Sequence, residues 1–327
     1  MNLAQSILEG NRLALARSLT LVENDHSEGQ AVLSALFPYT GRAHLVGVTG
    51  ATGTGKSSLV SQLALYFRKP PDGIPPRRVA IVAVDPSSPF TGGAILGDRI
   101  RMRDLGGDPG VFIRSMATRG SLGGLAAATA SVVQVFDAAG YEMILIETVG
   151  AGQTEIEIAR LAHTTLVLET PGLGDDIQAI KAGILEIADI LVINKADREG
   201  ASRTYQELVQ MLELQAHRKA SAWKAPVLLT QAKDDEGIEA LMAAVRDHQE
   251  FLAKDGGQGL RLARGSRVRQ EFLELLKEGV SRHLVQQLES DGRLDRVLKD
   301  ILEKQTDPYS ASEALVLETL GPLENPT

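Results

Sequence analysis

Eight residues, Gly50-Ala51-Thr52-Gly53-Thr54-Gly55-Lys56-Ser57, constrain this chain more than any other part of it. They fit G-x-x-x-x-G-K-[ST] at every fixed position, directly after the apolar run Leu45–Thr49 and ahead of a helical segment, Ser58–Phe67. Glycines let the backbone curl so that successive N–H groups face phosphate oxygens, and the start of the following helix adds positive potential. Lys56 then reaches the β/γ oxygens and Ser57 is placed to ligate Mg²⁺. The expected phosphate contacts are Gly50, Gly53, Thr54, Gly55, Lys56, Ser57 and Ser58. A glycine-rich turn with no ligand would not need the Lys-Ser pair.

The surrounding pattern predicts an α/β P-loop NTPase with a mostly parallel central sheet. Short apolar runs alternate with helical segments from His44 to about Glu250: Leu45–Thr49, Val79–Val84, Val111–Arg114, Met143–Glu147, Thr165–Leu168, Ile190–Ile193 and Val227–Thr230. Ahead of them, residues 1–43 read as a helical extension, with apolar positions Leu3, Ile7, Leu8, Leu13, Ala16 and Leu19, a break at Gly10-Asn11, then Val32, Leu33, Leu36 and Phe37. A nucleotide-binding domain is expected over 44–254. Asp255–Gly265, with four glycines, reads as a linker or loop. Beyond it, over 255–327, Val268, Phe272, Leu275, Leu276, Val280, Leu284 and Leu288 form one stripe, and Leu294, Val297, Leu298, Ile301 and Leu302 a second, before a break at Asp307-Pro308 and a last helix. Those stripes either pack on the parent domain or form a helical arm that pairs two subunits.

Acidic residues close several strands on the side where an open α/β sheet binds its ligand. Asp85, at the end of the second strand, can hold a magnesium-bound water, orient an attacking water, or cap its Pro-containing turn. Asp98, after a glycine-rich loop, reads either as a second group at the metal or as a helix N-terminal Asp. Glu147 ends an apolar strand and runs into Thr148-Val149-Gly150, a Walker-B-like metal and γ-phosphate sensor in which Glu replaces the usual Asp and the Gly150 N–H senses phosphate. Gln153 reads as a water-positioning group or as a polar loop residue. The candidate catalytic set is Lys56, Asp98 and Glu147, and the candidate metal set is Ser57, Asp85, Asp98 and Glu147.

Base specificity points to guanine. Asn194-Lys195-Ala196-Asp197 follows the strand Ile190–Ile193 and matches N-K-x-D. Asp197 can accept from guanine N1–H and the exocyclic amine, and a carboxylate left unpaired would oppose adenine. Asn194 would brace the loops and Lys195 lie along the base. Gln231-Ala232-Lys233, after the strand Val227–Thr230, offers a backbone N–H to guanine O6, although Gln231 stands where the usual pattern has Ser.

Composition narrows the partners. With 34 Lys+Arg against 42 Asp+Glu, the net charge of −8 opposes polynucleotides and anionic membrane surfaces. The chain has no Cys, which excludes disulfides, thiolate metal sites and cysteine nucleophiles and suits a reducing cytoplasm. The N-terminal segment lacks the apolar core of a signal peptide, and no stretch reaches membrane-spanning length.

A wider set of segments resembles the MeaB/ArgK family of G proteins, bacterial relatives of the human methylmalonic aciduria type A protein. It comprises Val84-Asp85-Pro86-Ser87-Ser88-Pro89, Gly92-Gly93-Ala94-Ile95-Leu96-Gly97-Asp98-Arg99, Ser115-Met116-Ala117-Thr118-Arg119-Gly120 with Leu122-Gly123-Gly124, Glu147-Thr148-Val149-Gly150, the run from Pro171 to Gly183, and Asp307-Pro308-Tyr309. The resemblance implies a SIMIBI-like fold, a C-terminal dimerisation arm, and a homodimeric Mg²⁺-dependent GTPase. It further implies a chaperone of an adenosylcobalamin-dependent acyl-CoA mutase, typically methylmalonyl-CoA mutase, with cobalamin held by the mutase. It places Asp85, Asp98 and Glu147 around Mg²⁺ and the attacking water, and makes Asp175, Gln178 and Lys181 a mobile relay to the partner. Ala151 and Gln231 depart from the family's usual Val and Ser. No in-cis arginine finger can be named, since Arg99, Arg119 and Arg160 read equally well as surface or packing residues. Competing readings are a metal-insertion GTPase, which six scattered His and no Cys do not favour, an ATPase associated with amino-acid transport, which the guanine motif opposes, and a nucleotide-gated module without turnover.

Overall fold

A computed structural model describes residues 2–70, 73–85, 105–117, 122–148, 159–172, 186–216 and 223–321. Three helices come first: α1 (Leu3–Leu8), α2 (Arg12–Glu23) and α3 (Ser27–Leu36). Asn2, Asn11 and His26 cap them, each accepting a backbone N–H of the first turn, so the break expected at Gly10-Asn11 is a helix stop followed directly by a new start. The buried face of α2 is Ala14, Leu15, Ser18, Leu19 and Val22, while Leu13 is 81% exposed. Of the apolar positions named in the sequence, Leu13 therefore lies off the buried face, and Ala16 at its edge. In a helix rich in Leu and Ala, two neighbouring stripes satisfy the same period, and only the packing partner chooses between them.

Among the described residues seven strands follow, interleaved with helices: β1 (His44–Gly50), α4 (Lys56–Arg68), β2 (Val79–Asp85), β3 (Val111–Ala117), α5 (Leu122–Ala138), β4 (Met143–Thr148), β5 (Thr164–Glu169), β6 (Ile190–Asn194), α6 (Ala201–Ala216) and β7 (Val227–Thr230). All seven strands belong to one sheet in the order β3-β2-β4-β1-β5-β6-β7, with every ladder parallel. β1 sits centrally between β4 and β5, with Val48 beside Glu147 and Gly50 beside Leu168.

Alternation along the strands divides the core. Leu45, Val82, Val84, Ile144 and Ile146 pack with α1–α3 and α5, while Val46, Val48, Ile81, Leu145, Leu168 and Val192 pack with α4. Removing a fully buried side chain such as Leu19 or Leu63 from either layer should cost ~2–5 kcal/mol on truncation to Ala. The N-terminal helices are tied down by polar contacts as well. Asp137 of α5 accepts the N–H groups of Gly41, Arg42 (3.1 Å) and Ala43 (2.9 Å), Arg114 of β3 pairs with Glu23 of α2, and Arg12 donates to the carbonyl oxygens of Pro109 and Val111.

A buried polar chain crosses the amino edge of the sheet. The ring Nε2 of His44 lies 2.8 Å from Thr164 Oγ1, which lies 2.9 Å from His248 Nδ1. His248 Nε2 is 3.5 Å from Asp189 Oδ1, and Asp189 Oδ2 accepts the Thr165 N–H. The single tryptophan, Trp223, donates to the Asp189 carbonyl and lies tilted against the His248 ring. Burial lowers both imidazoles to about 4, His44 further through the neighbouring His248 and Arg77, and burial raises the Asp189 carboxyl to about 6 against the opposing Thr165 N–H.

The chain divides into two compact units, Met1–Arg264 and Gly265–Thr327, and the division falls inside α7 (Ile238–Ser290). The expected linker at 255–265 is therefore helix. Each Gly there costs ~1 kcal/mol relative to Ala, a penalty that interleaved good helix formers and long flanking helical sequence absorb. The second unit continues with α8 (Arg293–Leu302) and α9 (Pro308–Leu320). Asp307 caps α9, accepting from Tyr309 N and Ser310 N, with Pro308 at the first helical position. Phe272, Leu275, Leu276 and Val280 of the predicted first stripe, and Leu298 and Leu302 of the second, are exposed, whereas Leu288 is buried. Among the described residues, no helix is long and apolar enough to cross a membrane.

Candidate functional site

The carboxyl edge of the sheet gathers the motif residues. β1 ends at Gly50 (φ +138°), the loop turns through Gly53 (φ +86°) and Gly55 (φ +94°), and α4 starts at Lys56. A Cβ on Gly55 would collide with the side-chain amide of Asn194, so the close approach of the two loops requires glycine there. No side chain caps α4, which leaves its first-turn N–H groups for an anion. Thr54 is fully buried and spends its hydroxyl on the Ala51 carbonyl at 2.9 Å. Lys56 is buried, its Nζ donating to the carbonyl oxygens of Gly50 (2.6 Å) and Ala51 (3.0 Å). Ser57 is buried and Ser58 exposed on the first turn.

Glu147 is completely buried on β4, next to β1, and both of its carboxylate oxygens are shielded from solvent. Asp85 closes β2 at the same edge of the sheet. Ser57 and Glu147 supply a hydroxyl and a carboxylate, hard oxygen donors of the kind that fit Mg²⁺. Among the described residues there is no group of three or more His, Cys, Asp or Glu that could hold a metal ion. Asp98, Gly150, Asp175, Gln178 and Lys181 lie outside the described residues, as do Ala151, Gln153, Arg99 and Arg119. Arg160 is exposed.

On the other side of the phosphate loop, Asn194 is 2% exposed and fully engaged. Its Nδ2 donates to the Thr54 carbonyl at 2.8 Å, and its Oδ1 accepts Ala232 N–H at 3.1 Å and Thr230 Oγ1 at 3.2 Å. Lys195, in the left-handed region at φ +57°, donates from Nζ to the Gly53 carbonyl at 2.6 Å. Asp197 is exposed at the loop rim, and Ala196 N–H donates to the Thr230 carbonyl at 3.1 Å. The phosphate loop, the 194–197 loop and the 231–233 loop thus form one hydrogen-bonded assembly.

The Ala232 N–H is donated to Asn194, and Ala232 is buried. Gln231 pairs with Glu236 by a backbone bridge, and its side-chain amide donates to the Glu236 carboxylate. Two of the residues in these contacts carry no motif signal: in the sequence Thr230 is simply the last residue of a strand, and Glu236 lies in a polar turn ending at Gly237.

A family model described as methylmalonyl Co-A mutase-associated GTPase MeaB matches residues 15–290. The chain belongs to the MeaB family. GTPase ArgK of Escherichia coli K12 is 36% identical to this MeaB-family chain over 314 residues, which cover 92% of it and 90% of ArgK. The mitochondrial methylmalonic aciduria type A homolog of Mus musculus is 30% identical over 330 residues, covering 95% of this chain and 77% of that protein. A relative from Pyrococcus abyssi is 44% identical over 320 residues, 98% of this chain and 96% of its own. Among solved structures, the crystal structure of an LAO/AO transport system kinase superposes with a TM-score of 0.68 at 27% identity, covering 97% of this chain and 96% of that one. MeaB membership and the P-loop NTPase fold make the chain a GTP hydrolase.

Proposed function

We propose that the chain is a Mg²⁺-dependent G-protein chaperone for an adenosylcobalamin-dependent acyl-CoA mutase, namely methylmalonyl-CoA mutase, gating cofactor loading and protecting the enzyme. The observation that carries the nucleotide half is the Asn194 assembly, which couples the base loops to the phosphate loop through Thr54. The partner half rests on the family, whose name couples it to that mutase.

In this reading the amides of Gly53, Gly55, Lys56, Ser57 and Ser58 receive the phosphates, and the Lys56 ammonium turns from the Gly50 and Ala51 carbonyls to the β/γ oxygens. Ser57, Asp85, Asp98 and Glu147 are the residues that would hold Mg²⁺, which supplies charge neutralisation on the phosphate oxygens. Glu147 or Asp98 orients the attacking water, and buried Glu147 does so in a medium where its charge acts strongly. Asp197 accepts from the guanine edge. Loss of the γ-phosphate is sensed at the Gly150 N–H and passed on through Asp175, Gln178 and Lys181.

The 255–327 arm pairs two copies into a homodimer, a reading supported by the exposed Phe272, Leu275, Leu276 and Val280. The protein works in the cytoplasm, contacts cobalamin only through the mutase, and has no nucleic-acid or membrane partner. The direct test follows a mutase through repeated turnover, with the chain present and GTP added or omitted. Retained mutase activity that requires both supports the reading, and inactivation at the same rate in every arm refutes the chaperone role.

A further inference from the structure

The loop after β7 closes on itself in a way the guanine motif does not require. Gln231 N–H donates to the Glu236 carbonyl at 3.0 Å, and Glu236 N–H returns to the Gln231 carbonyl at 3.3 Å. Asp234 N–H shares that acceptor at 3.0 Å, and the Gln231 side-chain amide donates to the Glu236 carboxylate. The turn needs Asp235 at φ +62° and Gly237 at φ +76°, and a Cβ on Gly237 would run into the Leu229 carbonyl. Residues 232–235 are thus held as a small closed turn over the end of β7. Within it, Ala232 N–H is committed to Asn194, whereas the next amide, that of Lys233, donates to no group among the described residues.

We propose that Glu236 is a positioning residue for base recognition: its clasp on Gln231 holds the Lys233 N–H, rather than that of Ala232, toward the O6 of a bound guanine. The inference rests on the guanine reading of Asn194 and Asp197 and adds to it the group that aims the second base loop. A side chain of Gln length at position 231 is what reaches Glu236. The clasp thereby replaces by a bond across the turn whatever a shorter residue would supply locally.

The test compares GDP with 6-thioguanosine diphosphate, which keeps N1–H and the exocyclic amine but carries sulfur, a poorer acceptor, in place of O6. Wild-type chain should bind GDP more tightly than the thio analogue and far more tightly than ADP. Glu236→Ala should weaken GDP by roughly three- to tenfold while leaving the thio analogue nearly unchanged, which narrows the ratio. Gln231→Leu should do the same from the other partner. Glu236→Gln retains an acceptor oxygen and should restore most of the ratio. Glu236 is exposed, so these variants should fold. Equal weakening of both nucleotides, or none, in Glu236→Ala overturns the proposal and leaves guanine recognition standing. A wild-type chain without preference for GDP over ADP overturns the guanine reading itself, and this proposal with it.

Discussion

The side-chain amide of Asn194 donates to the Thr54 carbonyl at 2.8 Å, joining two loops 140 residues apart in the chain. The same side chain accepts from Ala232 N–H and Thr230, so one buried residue sets the distance from the phosphate loop to both base loops. The phosphate loop and the 194–197 and 231–233 loops are thereby joined through one side chain.

Replacing Asn194 by Ala should therefore damage stability and binding together. It leaves the Thr54 carbonyl and the Ala232 N–H without their partner, at ~1–3 kcal/mol for each buried group. Urea unfolding should show a loss of about 2–4 kcal/mol, and GDP affinity should fall by at least about tenfold. A variant of unchanged stability would show that the assembly is not held by this residue.

Asp197 should set the base by charge and donor pattern. Asp197→Asn turns an acceptor oxygen into a donor, which matches the C2 carbonyl of xanthine and opposes the guanine amine. The variant should lose GTP turnover by about a hundredfold or more and gain XTP turnover. Retained GTP preference would remove Asp197 from the base site.

Much of this was legible beforehand, for identifiable reasons. All seven strands announce themselves as apolar runs because a parallel sheet is buried on both faces. The meeting of the 50–57 and 194–197 loops at one edge of the sheet was legible because both carry motifs of fixed residue type and spacing directly after strands. What stayed hidden depends on contacts distant in sequence. The choice between Leu13 and Leu15 is made by α5, and the Ala232 N–H is claimed by a side chain 38 residues away. The four-glycine stretch misled because local propensity is weak against a helix that extends well beyond it on both sides.

The amino-edge chain predicts how stability varies with pH. His44 and His248 have folded values near 4, below the ordinary 6.5, so the stability they contribute is complete above pH 6.5 and is lost as pH falls toward 4. Asp189, raised to about 6, acts oppositely: its contribution is present below about pH 4 and is lost as pH rises through 6. With each unit worth ~1.4 kcal/mol, two imidazoles outweigh one carboxyl, although coupling between them reduces their sum. Unfolding free energy should fall by a few kcal/mol between pH 7 and 4.5, and His248→Gln should flatten that slope. An unchanged slope in the variant would place the titration elsewhere.

The exposed stripe on the second unit predicts self-association. Phe272→Glu combined with Leu276→Glu puts charge where an apolar partner face is expected. Light scattering should show a dimer for the wild type and a monomer for the double variant, with GDP affinity retained. A monomeric wild type, or a double variant that stays dimeric, contradicts the arm as the pairing element.

The most direct test of the central claim measures GTP and ATP turnover by the purified chain, each with and without a cobalamin-dependent acyl-CoA mutase from the same genome. Slow, GTP-selective turnover that rises when the mutase is added is the predicted result. Turnover that favours ATP, or GTP turnover indifferent to every such mutase, would contradict it.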